Sequence, residues 1–242
     1  MAVQVVGAPR QQIMSQLEQE ANDIFQNQRE ILIQQEWAAL ECCDCEAKNR
    51  YRVSVPRDGR YEGPVFLYVD EESACCERIC CSTNRSLSLR LHHGTTKEDP
   101  VVQTMKKPFH CQGCCFCRPK FEVFGSASQP IGRVEDPCRI CQMDQQVYDK
   151  DDNLLFTTFG SICQCGLCCP MCCDTEFQIL KKGEEVGKIT KMALTCKEAC
   201  LKINRFKVDF GSLQNPVEKR MAFASAMLLD LEYFETNKNN DS

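Results

Sequence analysis

The chain has no apolar run of the length by which a helix ordinarily crosses a membrane. Its longest apolar run, Met221 to Leu229, meets Asp230 well short of the roughly 20 residues a bilayer span needs. A core helix is the expectation for this run, membrane insertion the lesser alternative. Met1-Ala2-Val3-Gln4 is not a basic stretch ahead of an apolar core, so no secretory leader is expected and thiols are expected in the reduced state of the cytosol. Ala2 excludes myristoylation, and the last residues form no prenylation box. Catalytic signatures are scarce as well. His92, His93 and His110 have no carboxylate at helical spacing, and glycine-rich phosphate loop, nucleophile elbow and paired-acid pattern are all missing. An enzyme of covalent chemistry is therefore not expected. A net charge of −5 argues against nucleic acid as a partner.

What the chain has in abundance is cysteine, 21 residues in 242, grouped in knots. Cys75-Cys76 stands close to Cys80-Cys81, and a second knot holds Cys111, Cys114, Cys115 and Cys117. A third gathers Cys163, Cys165, Cys168, Cys169, Cys172 and Cys173. A hydrophobic content of 43% can build a core without disulfides, and an odd cysteine count argues against a closed disulfide framework. The thiols must be read for what else they do: bind metal, carry acyl chains, or pack as small hydrophobes.

Residues 10–40 carry a helical stripe of Met14, Leu17, Ala21, Ile24, Ile31 and Leu32. From Tyr51 the period falls to two. Tyr51, Val53 and Val55 alternate with polar residues, as do Leu87, Leu89 and Leu91, and Phe206, Val208 and Phe210. Further strands are predicted at 65–69, 101–105, 121–124, 154–159 and 177–180, with turns at Arg57-Asp58-Gly59, His93-Gly94, 150–153 and Lys182-Gly183. Phe121-Glu122-Val123-Phe124 followed by Ile131-Gly132-Arg133-Val134 recurs as Phe177-Gln178-Ile179-Leu180 and Val186-Gly187-Lys188-Ile189. Gly132 and Gly187 inside strands imply bulges or close backbone approach. Many short strands and one helix apolar on nearly every side have a direct packing solution, a sheet closed around the helix.

Three chemistries compete for the polar and thiol clusters. Cys114–Cys117 and Cys138–Cys141 are C-x-x-C pairs twenty residues apart, a spacing that suits a zinc or iron–sulfur site, but so many cysteines generate such quartets by chance. Lys106, Lys107, Arg118 and Lys120 flank the knot at 111–117, as suits acylated thiols against an anionic membrane surface. Cys196 and Cys200 read as buried small hydrophobes. Asp149, Asp151 and Asn153 have calcium-loop spacing, yet Leu154 stands where the loop needs glycine, which favours a hairpin turn.

Several stretches together are similar to the phospholipid scramblase family: Asn49-Arg50-Tyr51-Arg52-Val53, the run from Asp70 to Cys81, the knot at 111–117, Pro130 to Val134, and Gly187 to Lys191. In the terminal helix Asp230 and Phe234-Glu235 match. The resemblance spans residues 25–236. It implies a mainly β, tubby-like fold: a closed antiparallel barrel of about twelve strands around a central C-terminal helix, with an N-terminal helix. It also implies ATP-independent, calcium-stimulated movement of phospholipid between leaflets, and palmitoylation at Cys111, Cys114, Cys115 and Cys117.

The chain departs from the family pattern in three places, one being the nuclear-import stretch, which survives only as Gly187-Lys188-Ile189-Thr190-Lys191 followed by Met192. A Pro-rich N-terminal segment for SH3 and WW partners is lacking, so those partners are not expected. The calcium segment reads Lys202-Ile203-Asn204-Arg205-Phe206-Lys207-Val208-Asp209, with Asp209 its one carboxylate. The expected layout is an N-terminal helical segment at 1–45, a barrel at 46–236 with Met221, Phe223, Leu228 and Leu231 on a core helix at 218–235, and a polar tail at 237–242. The expected setting is the cytosolic face of the plasma membrane, or of an endomembrane or mitochondrion, with phospholipid and anionic lipids as partners and an oligomer left open. A membrane-tethered lipid-sensing adaptor without transport is the alternative.

Overall fold

The computed structural model describes residues 10–37, 48–58, 61–81, 84–109, 118–137 and 142–235. Its strands are β1 (Glu30–Gln35), β2 (Arg50–Arg57), β3 (Tyr61–Glu72), β4 (Leu87–His93), β5 (Val101–Lys107) and β6 (Lys120–Gly125). They continue as β7 (Pro130–Glu135), β8 (Gln142–Asp149), β9 (Leu154–Ser161), β10 (Thr175–Lys181), β11 (Glu184–Lys191) and β12 (Arg205–Asp209). Every strand pairs antiparallel with its neighbours in sequence, and β1 pairs with β12 to close a twelve-strand barrel. Closure leaves no unpaired edge. The helices are α1 (Arg10–Gln26), α2 (Cys75–Cys81), α3 (Cys165–Cys168), α4 (Cys196–Leu201) and α5 (Pro216–Leu229), the last continued by a π-turn at Asp230–Phe234.

α5 runs down the barrel axis. Asn215 caps it, its side chain accepting the Val217 N–H at 2.9 Å, and Pro216 opens the first turn with a preset φ. Every residue from Met221 to Leu229 is buried, which is what a helix apolar on all sides requires. The inward residues of the strands meet it, among them Leu87, Leu89 and Leu91 of β4 and Phe206 and Val208 of β12. α1 lies across the end where α5 begins. There Phe25 packs on Phe223 and Phe210, and Lys219 Nζ donates to the Gln26 and Gln28 carbonyls at 3.0 and 2.7 Å. The barrel therefore has an α1 end, reached by the even-to-odd connections, and an exit end, reached by the odd-to-even connections and by the π-turn.

The sequence repeat is visible in the register. Val123 lies opposite Gly132 and Ile179 opposite Gly187, and in both hairpins the ladder shifts at the next residue, Phe124 or Leu180. A Cβ on Gly132 would strike the Tyr148 carbonyl and Met221; one on Gly187 would crowd Asp209 and Phe210. Close approach is thus the reason for both glycines.

Two elements differ from the sequence reading. The helix expected over 10–40 stops at Gln26, and Ile31 and Leu32 belong to β1, so residues 30–35 join the barrel rather than an N-terminal helical segment. Three consecutive branched side chains, Ile31-Leu32-Ile33, suit a pleated strand buried on both sides better than a helix. The other is β8, which goes unpredicted because it is polar; Asp144 and Gln145 are buried along it, and Gln145 Oε1 lies 2.6 Å from Ser225 Oγ of α5. The core helix starts at Pro216 rather than 218, and Met221, Phe223, Leu228 and Leu231 are all buried on it or its π-turn.

Gly132→Ala is expected to destabilise the fold by about 1–3 kcal/mol, as overpacking does. The measurement is the urea midpoint, which should fall without a change in the far-UV spectrum.

Candidate functional site

The exit end concentrates buried polar groups around the point where α5 leaves. Asp230, fully buried, accepts from Tyr51 Oη at 2.7 Å and from Asn204 Nδ2 at 2.8 Å. Asn204 Nδ2 also reaches the Phe234 carbonyl at 3.0 Å, so it holds both ends of the π-turn. Glu235 is clamped by Arg85 Nη2 at 2.7 Å and Asn49 Nδ2 at 2.7 Å. Arg85 in turn forks onto both oxygens of Glu71, at 2.9 and 3.0 Å, and the Ser73 hydroxyl donates to Glu71 at 2.6 Å. A second set pins the other side of the turn. Lys107 Nζ lies 3.6 Å from Glu232, while Asp136 accepts from Arg118 at 2.5 Å and from the Tyr233 hydroxyl at 3.0 Å.

Burial sets the electrostatics here. It raises Asp230 to about 6, with Glu235 adding repulsion, against the hydrogen bonds from Tyr51 and Asn204. It raises Glu232 to about 7, opposed by Lys107. Burial also lowers Lys107, which Glu232 partly restores. Glu71 behaves oppositely: burial works to raise it, but Arg85, Ser73 and the Asn49 N–H hold it low.

A comparable pair lies along the outside of the wall. Asp70 of β3 accepts from Arg90 at 2.6 Å and faces His92 Nε2 at 2.8 Å, with the Asp99 carbonyl 2.7 Å from His92 Nδ1. His92 thus has a carboxylate partner from the neighbouring strand, which a search for helical spacing could not find.

The chain matches the family model described as Scramblase over residues 9–236. It belongs to the scramblase family. Among its relatives are phospholipid scramblase 1 of Mus musculus, 27% identical over 220 residues, and phospholipid scramblase 2 of Bos taurus, 25% identical over 217. The first match covers 88% of this chain and 63% of the relative; the second covers 86% and 69%. Phospholipid scramblase 4 of Homo sapiens is 26% identical over 218 residues, 85% of this chain and 61% of its own length. The matches span between 61% and 69% of these relatives' own length. No solved structure matches it.

In this scramblase-family chain the motif residues converge. Asn49, Tyr51, Glu71, Asp230 and Glu235, scattered over nearly two hundred positions, form the network around the helix exit. Arg85 and Asn204, the residues that tie it together, were not singled out in the sequence, because nothing local marks a buried Arg or Asn.

The expected membrane-facing basic set divides. Lys107 is buried against Glu232 and presents no charge to a surface. Arg118 and Lys120 are partly exposed but paired with Asp136 and Glu122, and Lys106 is exposed over the Phe124 ring. Cys111, Cys114, Cys115 and Cys117 lie outside the described residues, as do Cys138 and Cys141 of the zinc or iron–sulfur quartet. Cys196 and Cys200, read as buried, are exposed: four apart on α4, they share its outer face. The Cys169 and Cys172 sulfurs stand side by side, and the Cys165 and Cys173 sulfurs lie 2.7 Å apart.

At the two candidate positions, Asp209 and Asp149, the described residues do not fit calcium. Asp209 sits at the α1 end, its Oδ1 accepting the Gly211 N–H at 2.9 Å, in register with Lys188. A hard cation takes six to eight oxygen ligands, and a single carboxylate beside lysine does not supply them. Asp149 likewise spends Oδ1 on the Asp151 and Asn153 N–H groups, closing the β8–β9 hairpin. Among the described residues no group of three or more His, Cys, Asp or Glu side chains is arranged to hold a metal. Nor is any described helix long and apolar enough to cross a membrane.

The pH dependence follows from sign. Asp230 at about 6 and Glu232 at about 7 lie above the unfolded carboxylate values of about 4. Their contribution is therefore fully present below about pH 4 and is lost as pH rises through 6 and 7. Asp230→Asn and Glu232→Gln should each gain stability relative to the parent between pH 5 and pH 8, by on the order of 2 kcal/mol at about 1.4 kcal/mol per pKa unit. Urea midpoints at the two pH values check this; a difference independent of pH would contradict it.

Proposed function

We propose that the chain is a phospholipid scramblase-like protein that acts at a membrane surface without ATP. Membership of the scramblase family over nearly the whole chain is the observation that carries this reading. The tether is S-acylation of Cys111, Cys114, Cys115 and Cys117, in the β5–β6 connection at the exit end. One acyl chain binds marginally and two hold firmly, so four neighbouring thiols suit the task. Lys106, exposed over the Phe124 ring, adds a contact with anionic headgroups.

The barrel interior holds α5, so lipid would pass along the outside of the protein, through a leaflet disturbed at the docking surface. Withdrawing α5 to span the bilayer would strip the barrel of its core and carry Asp230 into hydrocarbon. Given the poor fit at Asp209, calcium has no role in this reading. The filled interior also favours a second reading, a tethered lipid-sensing adaptor that moves no lipid.

Liposomes with a fluorescent lipid in both leaflets separate the two. A scramblase should let an external quencher remove nearly all the label, equally with and without calcium. Protection of about half the label would leave only the adaptor.

A further inference from the structure

All 21 cysteines fall on the six odd-to-even connections, the ones that leave and re-enter the barrel at the exit end. They lie between β1 and β2 (42–45), β3 and β4 (75–81), β5 and β6 (111–117), β7 and β8 (138–141), β9 and β10 (163–173), and β11 and β12 (196–200). The even-to-odd connections contain no cysteine. The segregation is complete, and neither core packing nor a single metal site accounts for it.

A second, independent property has the same address. Of the six large hydrophobic side chains most exposed among the described residues, four stand on exit-end connections: Trp37 at 57%, Phe109 at 53%, Ile162 at 44% and Met171 at 47%. Single exposed apolar residues need no explanation, but their collection on one end among exposed thiols does. Trp37 is also the only tryptophan in the chain, and tryptophan favours the headgroup level of a bilayer. Among the described residues Arg118 and Lys120 at this end are paired with Asp136 and Glu122, so apolar contact is assigned the larger part of the attraction.

We infer that the exit end is a lipid-docking face, with the barrel standing end-on, and that thiols outside the 111–117 knot are acylated there. The inference rests on the membrane reading above but not on lipid transport. Cys76 and Cys80 are exposed on α2, four residues apart, and Cys163 and Cys168 are exposed in the β9–β10 connection. The β3–β4 and β9–β10 connections stand six strands apart in a ring of twelve, on opposite sides of the rim. Acyl chains at one connection would let the barrel tip; chains on opposite sides hold its axis along the membrane normal. In the modification a cysteine thiolate attacks the carbonyl carbon of a long-chain acyl thioester. The new S–C bond forms as the donor's C–S bond breaks, and the donor leaves as a thiol with the proton the cysteine gave up.

Two measurements on the full chain from eukaryotic cells test this. In the first, the variant C111A/C114A/C115A/C117A is analysed by hydroxylamine-dependent mass tagging. It should retain tags, which fall on adding C76A/C80A and again on adding C163A/C168A. A fourfold variant with no hydroxylamine-dependent tags would overturn multi-connection acylation, as would stoichiometric zinc or iron on those thiols.

In the second, Trp37 fluorescence is followed with phosphatidylcholine vesicles containing brominated lipid, with and without phosphatidylserine. Trp37 should shift to the blue and be quenched at least twofold in both lipid mixtures. The reporter moved to the α1 end, W37F/L154W, should be unchanged. Equal quenching at both ends, or none at Trp37, would overturn end-on docking. Docking with half the label protected in the liposome assay would remove transport and leave this face intact.

Discussion

Burial of α5 inside the closed sheet is the constraint on which the rest depends. Met221, Phe223, Met227, Leu228, Leu229 and Leu231 are all buried. At about 1.5–3 kcal/mol per large apolar side chain their burial contributes on the order of 10 kcal/mol, comparable with the whole net stability of a domain. A barrel of twelve strands is too wide to be filled by its own inward side chains, and the helix is what makes it a core rather than a tube. The helix is also fixed lengthwise. Arg220 near its start is held by Glu18 and Asn22 of α1, by Gln103 and by the Val102 carbonyl; Ser225 meets Thr158 at 2.9 Å; Asp230 is held by Tyr51 and Asn204. Sliding α5 would break all three stations together, and each would leave polar groups unpaired in the interior.

These polar stations cost as well as fix. A carboxylate in the interior must be paired or protonated, and the exit end uses both solutions within a few residues. Glu71 stays ionised because Arg85 grips both oxygens, whereas Asp230 and Glu232 drift upward because their partners do not fully offset burial. The π-turn is local evidence of the same compromise. It lets Asp230, Tyr233 and Glu235 each reach a different partner, where a continuing α-helix would distribute them at other angles.

The fold was largely legible because its two periods are physically distinct. Alternation at Leu87–Leu91 and Phe206–Phe210, and the unbroken apolar surface of Met221–Leu229, leave one packing solution. The failures are equally physical. Ile31 and Leu32 fit both a helical stripe and a doubly buried strand, and only long-range pairing with β12 decides between them. β8 carries its message in Gln145, a polar residue placed inward to meet Ser225, which inverts the hydrophobic rule. At the exit network the motif residues could be seen, but Arg85 and Asn204 could not, since their role exists only after closure of the barrel. Cys196 and Cys200 misled for the converse reason: the usual burial of free cysteine is a statistical tendency, and both of these are exposed.

The same topology explains why cysteine could be read as several signals in sequence and as one in space. In an antiparallel barrel with neighbour-to-neighbour connectivity, alternate connections share an end whatever their separation along the chain. Connections whose cysteine clusters stand 21 to 30 positions apart in the sequence thereby share one end, at which Trp37, Phe109, Ile162 and Met171 are exposed. The division of the ends is consistent with the energetics of α5. At the opposite end α1 covers the start of the helix and supplies Glu18 to Arg220, so that end is occupied by the chain itself. The exit end is closed by polar clamps instead of an apolar lid. A surface held this way can meet lipid without surrendering the core, because what it presents is borne by the connections and not by the helix beneath them.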